Sequence, residues 1–195
     1  MKVPAVKTLK PLIFLAAATI ASTSAAQTVG KSPKFISYDY IGAQYVSQNL
    51  DDFDCTQDGI NLYGSLDITD GWFGQASITD VSGGGCGSST ISVLGGYRQS
   101  FNEIFYWFAK VGFDQLSVDG PGGDDSGLAI AGGLRGFIKE NLEATLELST
   151  HTVGDGNTMI SGTGAYFFKS NFAGTVNLGL SGDVTQIAIG ARFNF

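Results

Sequence analysis

The last twelve residues, Val184–Phe195, alternate without a break: Ile187, Ile189, Ala191, Phe193 and Phe195 occupy one face, and Gln186, Ala188, Gly190, Arg192 and Asn194 the other. Successive side chains of a strand point to opposite sides, so this pattern requires a strand with two unlike faces. The same period recurs along most of the chain. Leu142, Ala144, Leu146 and Leu148 oppose Glu143, Thr145, Glu147, Ser149 and His151; Phe172, Val176, Leu178 and Leu180 oppose Thr175, Asn177 and Ser181; Phe105, Trp107, Ala109, Val111 and Phe113 oppose Tyr106, Lys110 and Asp114. Ten such segments can be read, at 36–48, 59–69, 72–81, 90–101, 105–118, 127–138, 142–152, 158–168, 172–181 and 184–195. Each has the roughly 9–11 residues that a tilted strand needs to cross a bilayer.

Two kinds of connection alternate between the segments. Residues 69–71, 102–104, 139–141 and 169–171 are short turns, whereas 49–58, 82–89, 119–126, 153–157 and 182–183 tend to be longer and rich in Gly and Asp. An even number of strands with short turns at one end and longer loops at the other describes an all-β, transmembrane, antiparallel up-and-down barrel. The count is about ten, or eight if 72–81 and 158–168, the least regular segments, do not span. A secreted β-sandwich would also alternate, but with its apolar face inward.

Sidedness separates the two. Phe35, Tyr38, Trp72, Phe101, Phe105, Trp107, Phe168, Phe172, Phe193 and Phe195 gather where parity puts the short-turn interface, the place of a membrane girdle. The longer loops carry Asp51, Asp52, Asp54, Asp58, Asp119, Asp124, Asp125, Asp155 and Asp183 without one Lys or Arg. A sandwich gives no reason for that asymmetry.

The N-terminus reads as an export signal over residues 1–26: Lys2, Lys7 and Lys10, then an apolar run from Leu12 to Ala21, then Ser24-Ala25-Ala26. That run is half the roughly 20 residues of a spanning helix. Residues 27–195 then form one barrel domain. The signal holds three of the 11 basic residues and none of the 18 acidic ones, leaving 8 against 18. A chain so acidic lacks the basic footprint of a nucleic-acid binder. Cys55 and Cys86 are the only cysteines, and an oxidising periplasm favours pairing them. Parity puts both in loops at the same end of the barrel.

Taken together, these features resemble the small outer-membrane barrels of the OmpA and OmpX type, the porin-like β-barrels. The resemblance covers residues 27–195 as a pattern, and its most specific piece is the end Ala191-Arg192-Phe193-Asn194-Phe195. It implies location in the cell outer membrane, contact with outer-membrane lipid and lipopolysaccharide, a monomer, and an assembly machinery that reads the terminal strand with Phe193 and Phe195 as its signal. The familiar members have eight strands.

Alternation turns Asp39, Asp67, Arg98, Lys110, Asp114, Arg135, Glu143, Glu147 and Arg192 inward, with His151 on the same face as Glu147 and Ser149. Buried charges are costly unless paired, so these groups are expected to form a polar network that largely fills the lumen. The function expected is non-enzymatic, a structural or surface role. A narrow porin-like channel is the alternative, since ten strands leave more room than eight.

A lipid-modifying enzyme is the weakest reading. Glu147, Ser149 and His151 are hydrolase ingredients, but residues two apart rise by about 6.6 Å, against the ~2.6–3.2 Å a nucleophile and base need; side-chain reach narrows that gap, but the set faces the lumen rather than lipid. No catalytic residue, cofactor or metal is assigned. Asp51-Asp52-Phe53-Asp54 with Asp58-Gly59, and Asp124-Asp125, depart from the calcium-loop spacing. The glycine runs at 83–87 and 120–123 lack a following helix or Lys-Ser/Thr pair and read as loop tips.

Overall fold

The computed structural model describes residues 36–50, 55–83, 86–119, 123–154 and 156–195. The export signal therefore lies outside the described residues, as do Phe35, Asp51, Asp52, Phe53, Asp54 and Asp155.

Ten strands form: β1 (Tyr40–Leu50), β2 (Cys55–Thr69), β3 (Trp72–Gly83), β4 (Cys86–Ser100), β5 (Phe105–Val118), β6 (Asp124–Lys139), β7 (Leu142–His151), β8 (Asn157–Lys169), β9 (Phe172–Leu180) and β10 (Val184–Asn194). Each pairs antiparallel with its sequence neighbour, and β10 closes on β1 from Tyr40↔Asn194 to Leu50↔Val184. The result is a closed up-and-down barrel. Closure leaves no unpaired edge, which is what allows strands to cross hydrocarbon at all. Both weakly patterned segments, now β3 and β8, run the full height, so the eight-strand alternative is set aside.

Three of the short turns share one design. Thr69-Asp70-Gly71-Trp72, Lys139-Glu140-Asn141-Leu142 and Lys169-Ser170-Asn171-Phe172 each follow a register shift in the preceding strand. Gly71 has φ +79°, the left-handed conformation that lets a bulged hairpin close. Asn141 and Asn171 occupy the equivalent place. The fourth turn is held by Asn102, whose side-chain oxygen accepts from the N–H groups of Ile104 and Phe105 at 2.8 Å each.

The apolar face is outside. Ile41, Val93, Val111, Phe113, Ile130, Leu148, Leu178 and Ile189 are all exposed on the wall, Phe113 by 69%. At the short-turn end, Tyr97 lies between Trp72 and Trp107 with ring centroids 5.1 and 5.8 Å away, and Phe168 stacks between Tyr166 and Phe172. Amphipathic rings at that level form a membrane girdle.

Several boundaries differ from the sequence reading. β1 starts at Tyr40, not at 36, and residues 36–39 turn into the barrel. Tyr38 is consequently no girdle residue: it is buried against Phe73 at 4.3 Å between centroids. The strands β2, β4 and β6 begin three to four residues earlier than alternation suggested, so Cys55 and Cys86 open strands rather than lying in loops, and Asp58, Asp124 and Asp125 belong to strands as well. These extensions have polar residues on both faces, which erases the period.

Candidate functional site

For ten strands about 4.8 Å apart and tilted by about 40°, the wall has a radius of about 10 Å, and strands three apart face each other across about 16 Å. Long side chains can meet over that gap. At the short-turn end they do.

Glu143 on β7 receives two arginines. From the neighbouring β6, Arg135 donates Nε to Oε1 at 2.9 Å and a terminal nitrogen to Oε2 at 3.1 Å. From β10, three strands away, Arg192 donates two parallel bonds to the same carboxylate, each 2.9 Å. One acid and two bases leave a surplus positive charge. Aromatic faces take it up, since Arg135 lies over Tyr38 and Tyr40, and Arg192 over Tyr40 and Phe167, at 4.5–5.2 Å from the ring centroids.

The segment before β1 completes this closure. Ile36 and Tyr38 pack with Phe73 and Phe108 in one buried cluster. Arg98 donates to the Ile36 carbonyl and Arg135 to the Ser37 carbonyl, each at 3.0 Å. Asp39, which lies just below β1, accepts from the Asp67 backbone N–H at 2.8 Å, and Asp67 pairs with Arg98 at 2.8 Å. Small lumen residues make room: a Cβ on Gly96 would sit 2.4 Å from the Phe73 ring, and one on Gly42 2.3 Å from Tyr63.

Halfway up, Lys110 on β5 spans to Glu147 on β7 at 2.8 Å and to Gln75 on β3 at 3.0 Å. The long-loop half is lined mainly by amides and hydroxyls. Gln48, Gln186, Asn177 and Thr163 form a chain of hydrogen bonds at 2.8, 3.2 and 2.8 Å across β1, β10, β9 and β8. On the opposite wall Asp114 on β5 holds His151 Nδ1, and His151 Nε2 is 3.2 Å from Ser149 Oγ.

No protein-family model matches the chain, and no curated protein sequence matches it significantly. Solved structures do. The NanC porin aligns over 80% of this chain and 100% of its own, with 9% identity and a TM-score of 0.54. The fold is that of a porin-like outer-membrane β-barrel. The KdgM porin (13% identity, 80% of this chain and 99% of its own, TM-score 0.48) and the COG4313 outer membrane channel from Pseudomonas putida F1 (12%, 87% and 100%, TM-score 0.48) also match.

Cys55 and Cys86 are joined in a disulfide, with Cα atoms 6.7 Å apart. It ties the long-loop ends of β2 and β4 together across β3. Phe193 faces outward opposite Ile41 on the closing seam, and the Phe195 N–H reaches the Asp39 carbonyl at 3.1 Å. Asp125 accepts from the Gly154 N–H, linking the β5–β6 and β7–β8 hairpins at the long-loop end. Among the described residues no group of three or more His, Cys, Asp or Glu side chains is placed to hold a metal ion.

Two features escaped the sequence reading. Ile36 and Tyr38 share the parity of Tyr40, Gln44 and Gln48, so phase rather than hydrophobicity was the signal that they face the lumen. The second is how far the His151 side chain closes the gap to Ser149. The rise of about 6.6 Å separates their Cα atoms, whereas the imidazole leans back along the strand and brings its tip within hydrogen-bond distance.

Proposed function

We propose that this protein is a non-conducting barrel of the cell outer membrane, closed at its periplasmic end, which presents an acidic rim at the cell surface. The observation that carries this reading is the Arg135–Glu143–Arg192 bridge across the lumen, backed by Ile36–Asp39. Two guanidiniums sharing one buried carboxylate resist opening, because separating them strands charges in a low-dielectric interior. The rim, with Asp58, Asp80, Asp119, Asp124, Asp125 and Asp183 and no Lys or Arg in the long connections 49–58, 82–89, 119–126, 153–157 and 182–183, suits contact with the divalent ions that bridge lipopolysaccharide. Such a role requires no catalytic step. The terminal strand would be the segment that the barrel assembly machinery reads, and the protein would act as a monomer.

A narrow channel is the second reading, favoured by the likeness to the NanC porin and by the amide-lined external half of the lumen. Planar-bilayer recording of the refolded barrel separates the two. The closed reading expects no discrete conductance steps; stable, reproducible unit steps in the wild type would replace it with the channel.

A further inference from the structure

The contacts of Ser149 go beyond what a filled lumen needs. The Asp114 carboxylate is almost fully buried, with its side chain 1% exposed, and lies 2.5 Å from His151 Nδ1. An ionised carboxylate only accepts, so the imidazole places its proton on Nδ1 and leaves Nε2 as an acceptor. Nε2 then takes the hydroxyl proton of Ser149 at 3.2 Å. Acid, imidazole and hydroxyl thus stand in the order and at the atoms that activate a serine, an arrangement recognised by geometry and not by sequence position. The supports come from two strands separated by β6, where Ala129, the register partner of His151, leaves room for the imidazole to cross.

The imidazole is the accessible part of the site. His151 is 35% exposed and borders an open cleft of about 390 Å³ at the long-loop end of β7 and β8, lined also by Thr150, Thr152, Gly154, Gly156, Asn157 and Thr158, whereas Ser149 and Asp114 lie behind it. Ser149 itself is 8% exposed. Only a small molecule can reach an Oγ so enclosed.

We propose that Ser149, His151 and Asp114 form an acyl-transfer site with Ser149 as the nucleophile toward small, water-borne esters. Ser149 Oγ bonds to the ester carbonyl carbon while its proton passes to His151 Nε2. As the C–O bond breaks, His151 returns that proton to the leaving alcohol. Water then attacks the acyl-serine, His151 taking its proton and handing it to Ser149 Oγ as the acid departs. Asp114 is a positioning residue that fixes the tautomer.

Strand amides of a closed ladder are already paired, so the described strands around Ser149 supply no free backbone pair for the oxyanion. A missing oxyanion donor costs roughly 10²–10³ in rate. The substrates that fit are therefore esters with good leaving groups.

The test is a fluorophosphonate probe on the refolded full chain, read by intact mass and peptide mapping. The expected result is one adduct, on Ser149, formed at least about tenfold faster than on the lumen serines Ser77 and Ser161. Ser149→Ala abolishes it, and His151→Ala slows it roughly 10²-fold. Asp114→Asn slows it at least about tenfold per folded molecule, with the folded fraction measured by heat-dependent migration on gels; a purely structural role would lower that fraction and leave the rate unchanged. No preference for Ser149 in the folded wild type overturns the proposal, and this comparison needs no variant to fold. Equal labelling of wild type and folded His151→Ala does so as well. Neither outcome depends on whether the lumen conducts.

Discussion

Removing the Glu143 carboxylate should be the most damaging single change in the lumen. Glu143→Ala deletes four charge-assisted bonds of 2.9–3.1 Å and leaves the Arg135 and Arg192 guanidiniums close together, each about 5% exposed or less. Arg135 keeps one carbonyl acceptor, Ser37, Arg192 keeps the Asn194 side-chain oxygen, and both keep their aromatic faces. Breaking a buried ion pair by deleting one partner costs about 3–5 kcal/mol, and here two cations lose theirs. Glu147→Ala is the control, because Glu147 is 23% exposed and Lys110 retains Gln75; its loss should be about 1–2 kcal/mol. Urea titration in lipid vesicles, followed by the fluorescence of Trp72 and Trp107, gives both values from midpoints at constant slope. Replacing all three groups, as Arg135→Met, Glu143→Leu and Arg192→Met, should recover most of the stability, since apolar substitutes for a buried ion cluster are often neutral or better. A loss below about 1 kcal/mol for Glu143→Ala, or one no larger than for Glu147→Ala, would refute the reasoning.

Tyr38→Ala removes a buried ring between Phe73, Arg98 and Arg135 and should cost about 3–5 kcal/mol in the same titration. Alkylation of unreduced protein should label no thiol, and Cys55→Ser with Cys86→Ser should lose about 3–4 kcal/mol, the chain-entropy value for a loop closed over 31 residues. Deleting Phe195 removes the aromatic that follows β10 and its N–H bond to the Asp39 carbonyl beside the closing seam, so outer-membrane yield should fall well below that of Leu148→Ala; equal yields would contradict a role in insertion.

The membrane-spanning part of the fold was legible because lipid outside and polar groups inside impose a period of two, and β5, β7, β9 and β10 keep it throughout. Strand ends were not legible where that contrast stops: Cys55-Thr56-Gln57-Asp58 rises beyond the apolar band with polar residues on both faces. The closing segment was harder. Ile36-Ser37-Tyr38-Asp39 alternates like a strand yet leaves the ladder, and only contacts from Arg98 and Arg135 reveal that it turns inward. The inward phase of the charged residues could be read from the strands that carry them, whereas their partners could not. Arg192 meets Glu143 across three strands, and Asp114 meets His151 across two; such pairings depend on barrel radius and register, which one-dimensional spacing does not contain.

One-sided closure can be measured directly by thiol labelling with a membrane-impermeant maleimide on oriented barrels, the native cysteines being held in their disulfide. Ser170→Cys, in the β8–β9 turn, should react only from the periplasmic side. Gln186→Cys, in the external half of the lumen, should react only from the external side. Labelling of Gln186→Cys at equal rates from both sides would mean an open pore and contradict a barrel closed by Arg135, Glu143 and Arg192.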